Sequence, residues 1–268
     1  MARSLKSWLF GHGISFSVLR PGQRARLLRQ TNSRASDVYM CSFPRSGNTW
    51  TRMIVAFVLD PTLDDVDLDV IDRLVPRSRE ADHSTATPRV LKNHTPAFDL
   101  FPRVIYNVRD GRDATLSNHA YQDKVGSYAG DRLTYIADRA GRPFGLWHDH
   151  VRQALAYQRR YPDRFLMLRY EDLRHDPAAQ IRRVADFLGK SVSDDRIARI
   201  IALTDLDRQR ARATSDDPRK AHTLQTGAVG GWRDRMTSDE IRLFEALSAP
   251  ELKLLGYPLS TDPQEGTG

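Results

Sequence analysis

Short apolar runs alternate along this chain with longer segments whose apolar residues recur every three or four positions, the two patterns produced by strands and amphipathic helices. The first run, Val38 to Cys41, passes through a polar stretch into Thr49 to Leu59, where Trp50, Met53, Ile54, Phe57 and Val58 fall at helical spacing. Further strands are predicted within Pro88 to Pro96, at Arg103 to Val108 and at Phe165 to Leu168, with a helix starting over Ala114 to Tyr121. Trp147 to Tyr161 reads as a helix with Trp147, Val151, Ala154 and Leu155 on one side. Asp176 and Pro177 open another helix, Ile181, Val184 and Leu188 form its apolar stripe, and Gly189 stops it. A further helix begins near Ser193 with Ile197, Ile200 and Ile201, and Thr237 with Glu240 makes a capping-box pattern ahead of Ile241, Phe244 and Leu247. This alternation predicts an α/β fold, a central parallel sheet covered by helices.

Between these elements, residues 60–89 are rich in Asp, Pro, Ser and Thr, the composition of a surface excursion, a short helical insertion or a loop covering a substrate. Residues 205–231 are poor in apolar side chains and carry Arg208, Arg210, Arg212, Arg219 and Lys220, the composition of a mobile basic loop over an anion or of a disordered surface segment. The organisation expected is a basic extension over 1–36, one domain over 37–258 and a polar tail over 259–268. A chain of 268 residues suffices for one sizeable core. No apolar run is long enough to span a bilayer, and the single cysteine, Cys41, excludes an internal disulfide, so a cytoplasmic setting is expected. The formal charge is +7, and only six of the 41 basic residues are lysines. Arginine's fork suits phosphate and sulfate, so an anionic small ligand fits this balance; no recognised nucleic-acid module accompanies it.

The most informative chemistry lies between the first strand and the first helix, in Phe43-Pro44-Arg45-Ser46-Gly47-Asn48-Thr49-Trp50. Amides at a helix mouth have no intrahelical partner, and a tight turn through Ser46 and Gly47 aims them at one anion. Arg45 adds a charge, and Ser46, Asn48 and Thr49 add short donors. On the Walker A pattern, Gly47 takes the second glycine position, Asn48 the lysine position and Thr49 the final hydroxyl position. The nucleotide-triphosphate lysine is therefore absent, which disfavours a P-loop phosphotransferase or nucleotide kinase. From these residues alone, an ordinary strand-to-helix turn or a non-catalytic nucleotide-binding protein fits as well.

Five stretches in order resemble the sulfotransferases that use 3'-phosphoadenosine 5'-phosphosulfate (PAPS). Phe43 to Trp50 resembles their 5'-phosphosulfate loop, Lys92-Asn93-His94-Thr95-Pro96 the stretch bearing the catalytic histidine, and Arg109 with Ser117 the pair that grips the 3'-phosphate. Tyr170-Glu171-Asp172-Leu173 and Gly227 to Arg233 resemble two later segments. The resemblance implies a P-loop nucleotide-kinase-like fold, PAPS as sulfuryl donor and 3'-phosphoadenosine 5'-phosphate (PAP) as product. It also implies a small hydroxyl-bearing acceptor, an alcohol or phenol, and neither a metal nor a covalent enzyme intermediate.

Carried over residue by residue, the resemblance makes His94 the base and Arg45 and Lys92 the groups that stabilise the transferring sulfuryl. Ser46, Gly47, Asn48 and Thr49 would hold the 5'-phosphate, Arg109 and Ser117 the 3'-phosphate, and Trp50 and Tyr170 the adenine. Gly227 belongs to the covering loop, with Gln225 and Thr226 standing where relatives carry Arg and Lys. Arg45 itself replaces the usual lysine. The family's dimer motif would start at Arg233 and keep Thr237 but has Ser238 and Arg242 at two key positions, so that dimer is not expected. Phe98, Phe101, Tyr121, Tyr128, Phe144 and Trp147, with His119, are candidates for an acceptor pocket.

Overall fold

The computed structural model describes residues 33–84, 86–139, 144–212 and 227–262. Its sheet contains β1 (Val38–Ser42), β2 (Val90–Asn93), β3 (Arg103–Val108) and β4 (Phe165–Arg169), all parallel, in the spatial order β2-β1-β3-β4. In chain order the helices are α1 (Asn48–Leu59), α2 (Leu68–Leu74), α3 (Gly111–Lys124), α4 (Arg132–Ala137), α5 (Trp147–Arg160) and α6 (Tyr170–His175). They continue as α7 (Pro177–Leu188), α8 (Asp194–Thr204), α9 (Leu206–Arg212), α10 (Trp232–Arg235) and α11 (Ser238–Leu254).

Successive strand residues face opposite sides of a sheet, and here they feed two separate cores. Val38, Met40, Val90, Ile105, Leu166 and Leu168 pack with apolar residues of α1, α2, α7 and α8. Tyr39, Cys41, Leu91, Val104, Tyr106, Val108 and Phe165 pack with α3, α5, α10 and α11 on the other face. Both faces being covered, the strands are apolar on both sides through their middles, and polar residues gather toward their carboxyl ends at Ser42, Lys92, Asn93, Asn107 and Arg169. At its base Arg89 donates to both carboxylate oxygens of the fully buried Asp37, at 2.9 and 2.7 Å. Opening such a pair on one side costs about 3–5 kcal/mol, which holds the start of β1 to the residue preceding β2.

Several predicted boundaries shift because caps lie outside the apolar pattern. β1 runs on to Ser42 and α1 begins at Asn48. α3 begins at Gly111, where the Asp110 carboxylate accepts the Arg112 amide. The helix stop at Gly189 and the capping box of Thr237 with Glu240 are present.

The loop predicted over 205–231 is corrected in its first part. Asp205 accepts the amides of Asp207 and Arg208 at 3.0 and 2.9 Å and so caps α9, whose Leu206 is buried in the first core. Residues 213–226, with Arg219, Lys220, Gln225 and Thr226, lie outside the described residues, as do 1–32 of the extension and 263–268 of the tail. The described part of the tail is anchored to α11, where Ser260 donates its amide and hydroxyl to Glu245 at 2.9 and 2.8 Å.

Candidate active site

The order β2-β1-β3-β4 reverses direction between β1 and β3, and ligands of open α/β sheets bind outside the carboxyl ends of strands at such a point. All four strand ends deliver candidate residues there: Ser42 leads into the glycine turn, Asn93 into His94, Val108 into Arg109, and Arg169 into Tyr170. They open on one cleft of about 560 Å³ lined by, among others, Arg45, Gly47, Asn48, Thr49, Trp50, Lys92, His94, Arg109, Ser117, Tyr170 and Gly227.

The turn after β1 has left-handed backbone at Arg45 (φ 69°) and Gly47 (φ 90°). Glycine is required at 47, because a Cβ there would stand 2.7 Å from Cδ2 of Tyr170. The turn delivers the chain into α1 with the first helical amides facing its mouth. Around it, Ser46 Oγ, Asn48 Oδ1, Trp50 Nε1 and Arg109 Nε are buried without a hydrogen-bond partner among the described residues. Buried polar atoms are rarely left unpaired, so this concentration marks a place where a polar ligand completes the bonding.

Arg109 ties the two walls together. Its guanidinium donates to the Arg45 carbonyl at 3.3 Å and to the Ala228 carbonyl at 2.6 Å, and lies 4.6 Å from the centroid of the Tyr170 ring. Tyr170 donates its hydroxyl to the Gly227 carbonyl at 2.8 Å, and its ring meets that of Trp50 edge-on. The ion pair of Arg109 with Asp113 is long, at 3.9 Å, because the Asp113 carboxylate accepts the amides of Gly230 and Trp232, both at 2.8 Å. Asp113 thus holds the 227–232 segment over the cleft. Ser117 accepts a hydrogen bond from Arg45 Nε at 3.1 Å and so engages the turn.

On the other side of the turn, His94 Nδ1 lies 2.9 Å from the Ser42 carbonyl oxygen. A carbonyl only accepts, so Nδ1 carries the proton and Nε2 is left as the basic nitrogen. His150 holds the backbone here: Tyr106 donates its hydroxyl to His150 Nδ1 at 2.9 Å, and His150 Nε2 donates to the His94 carbonyl at 3.0 Å. Burial first, and then the Lys92 charge, push the His94 pKa down to about 3, with smaller contributions from His150 and Arg52. The positive field acting on His94 thus comes chiefly from Lys92. Lys92 is itself lowered to about 8, first by burial and then by the charges of Arg52 and Arg77.

The aromatic candidates divide. Tyr121 and Phe144 line the cleft, and the Arg45 guanidinium lies 5.3 Å from the Tyr121 ring centroid. Phe98, Phe101 and Trp147 are buried in the second core and do not reach it. His119 and Tyr128 pack with Tyr135 in an edge-on cluster instead.

Arg52, Asp72, Arg77 and Asp113 were not singled out from the sequence as site residues. An arginine within the apolar stripe of α1 is the signal for Arg52, which donates to the Val75 carbonyl and to Asp72 at 2.6 Å. Among the described residues, no group of three or more His, Cys, Asp or Glu side chains is arranged to hold a metal ion.

A cleft built this way belongs to an α/β protein that binds phosphate- or sulfate-bearing ligands at its sheet ends. Residues 35–256 match the model of the sulfotransferase domain. Mouse sulfotransferase 1B1 is 26% identical over 270 residues, covering 88% of this chain and 89% of the relative. Cytosolic sulfotransferase 13 of Arabidopsis thaliana is 25% identical over 238 residues, covering 76% and 73%. Among solved structures, retinol dehydratase in a complex with retinol and PAP aligns with a TM-score of 0.67 at 19% identity, covering 92% of this chain and 88% of that one. Mouse sulfotransferase SULT7A1 complexed with PAP aligns with a TM-score of 0.66 at 20% identity, covering 85% and 89%. The chain belongs to the sulfotransferase domain family, and its activity is sulfuryl transfer.

Proposed function

We propose that this enzyme moves a sulfuryl group from PAPS to the hydroxyl of a small-molecule acceptor, with the donor in the cleft between the β1 turn and the 227–232 segment. The observation that carries this reading is His94: its tautomer is set by Ser42, and it shares the cleft with Arg45 and Lys92 beside a helix mouth. The residues fit the donor because unpaired buried groups at Ser46, Asn48, Trp50 and Arg109 surround the turn. PAPS supplies an activated sulfuryl group on a phosphate leaving group; the protein supplies positioning and charge.

Ser46 to Thr49 hold the 5'-phosphate through the turn and the first amides of α1. Arg109 engages the 3'-phosphate, with Ser117 on the adjoining helix, and Trp50 and Tyr170 flank the adenine. His94 Nε2 takes the acceptor's hydroxyl proton, and Arg45 and Lys92 stabilise negative charge on the donor's oxygens as the leaving phosphate gains it. An anionic donor opposes the Lys92 field and raises the affinity of His94 for that proton. A glycine turn between β1 and α1 at a switch point also supports the P-loop-like form of the fold. The acceptor is an alcohol or phenol approaching from the Tyr121 and Phe144 side, and a cytoplasmic setting agrees with the buried free thiol of Cys41.

Calorimetric titration without added magnesium tests the donor site. PAP should bind more tightly than ADP or adenosine 5'-monophosphate (AMP); tighter binding of ADP would reject the reading.

The pH profile gives a second check. A lysine with a pKa near 8 is charged below that pH and neutral above it, so kcat/KM for the donor should fall as pH rises through about 8. Lys92→Arg keeps its charge and should remove this descending limb. His94 is neutral well below pH 5, so no ascending limb from it is expected between pH 5 and 8. A wild-type profile flat to pH 10 would exclude a role for the Lys92 charge.

A further inference from the structure

Among the described residues, Arg77 is the cation of the cleft that lies outermost in the sheet, beyond β2. Pro76 accepts the Lys92 amide at 2.7 Å, Arg77 forms a parallel bridge with Lys92, and Ser78 accepts from Asn93 at 3.2 Å. Residues 76–78 therefore run along the outer edge of β2, because its inner edge is paired with β1. The bridge register directs the Arg77 and Lys92 side chains to the same face, and both line the cleft. The groups assigned to the donor's phosphates and adenine follow β1, β3 and β4, while Lys92, on β2 itself, is assigned to the transferring sulfuryl; Arg77 lies one strand position farther out. A ligand group beside Arg77 thus belongs to the molecule on the far side of His94, the acceptor.

The other arginines of the cleft are engaged, and Lys92 is assigned to the transferring sulfuryl. Arg45 donates to Ser117, Arg109 to two carbonyls, and Arg52 to Val75 and Asp72. Arg77 is exposed, and among the described residues its guanidinium has neither an ion pair nor a hydrogen-bond partner. Its charge reaches the site, since it contributes to lowering both Lys92 and Arg52. The only carboxylate lining this cleft among the described residues is Asp72, already bonded to Arg52 at 2.6 Å. Leu68, Val125, Phe144 and Leu206 supply apolar lining in the same cleft.

We propose that Arg77 selects the acceptor, and that the acceptor is an amphipathic hydroxy compound bearing a carboxylate or other oxyanion at the end away from the sulfated hydroxyl. This rests on the reading of the cleft as the sulfuryl-transfer site. A guanidinium matches the two oxygens of such a group in a way an ammonium does not.

The probes are 4-hydroxyphenylacetate and its neutral amide, titrated by calorimetry into the PAP-saturated protein. The wild type should bind the acid at least about tenfold more tightly than the amide, the size of one charged hydrogen bond at a partly exposed site. Arg77→Gln should level the two affinities while PAP affinity stays within about twofold, and Arg77→Lys should keep part of the preference. Equal affinities in the wild type, including no measurable binding of either probe, overturn the proposal, as does a preference that survives Arg77→Gln. A tenfold loss of PAP affinity in Arg77→Gln also overturns it, by assigning Arg77 to the donor. The preceding PAP titration separates the two readings: a protein that binds PAP but ignores the acid loses only the Arg77 assignment, and one that does not bind PAP loses both.

Discussion

Replacing His94 with Ala lowers kcat by about 10²–10⁴-fold and leaves PAP affinity within about twofold, the result expected when a positioned base is removed from an intact donor site. The geometry sets this asymmetry. His94 leans on the Ser42 carbonyl through Nδ1 and is held through its own carbonyl by His150, whereas the donor's phosphates are assigned to the turn and to Arg109. His94→Gln, which keeps a polar side chain but has no basic nitrogen, should be as slow as His94→Ala. Single-turnover rates with donor and acceptor saturating, together with PAP titration, provide the measurement. Turnover within threefold of wild type in either variant would remove His94 from the chemistry.

Arg109→Ala should weaken PAP binding by about 10–100-fold, the range of a charged hydrogen bond to phosphate, and weaken AMP binding much less. The contrast matters because Arg109 has two roles in the fold. It joins the Arg45 carbonyl to the Ala228 carbonyl, so its loss also loosens the 227–232 segment held by Asp113. A purely structural contribution would weaken PAP and AMP equally; a 3'-phosphate contact lowers the ratio between them. An unchanged PAP-to-AMP ratio in Arg109→Ala would reject the phosphate assignment.

Much of this arrangement is legible in the chain because it depends on local backbone physics. The period of apolar residues marks all four strands and the main helices, and Pro177, Gly189, Thr237 and Glu240 mark helix ends. The turn at Gly47 is visible as a strand-to-helix junction with anion-binding composition, and Arg109 as a charge at a strand exit. The aromatic candidates were less legible. Phe98, Phe101, Tyr121 and Phe144 are all aromatic side chains near the predicted site segments, yet the first two are core and the last two line the cleft. An apolar ring near a site has no local signal for the side of the sheet it will fill.

Sequence alone determined the α/β class, the positions of the strands, the anion turn and the identity of the basic side chains, since each follows from propensity, period or residue chemistry within a few neighbours. Only the tertiary structure decided what those side chains do to one another. The proton on His94 Nδ1 is fixed by a carbonyl 52 residues away, Ser117 meets Arg45 across 72 residues, and Asp113 reaches the amides of the covering segment more than a hundred residues later. Strand order places Arg77 outside β2 and the groups assigned to the donor's phosphates and adenine after β1, β3 and β4, a separation invisible in the linear chain. Burial and hydrogen-bond partners, which set charge and tautomer, are properties of packing between distant segments, and packing exists only once the sheet has assembled.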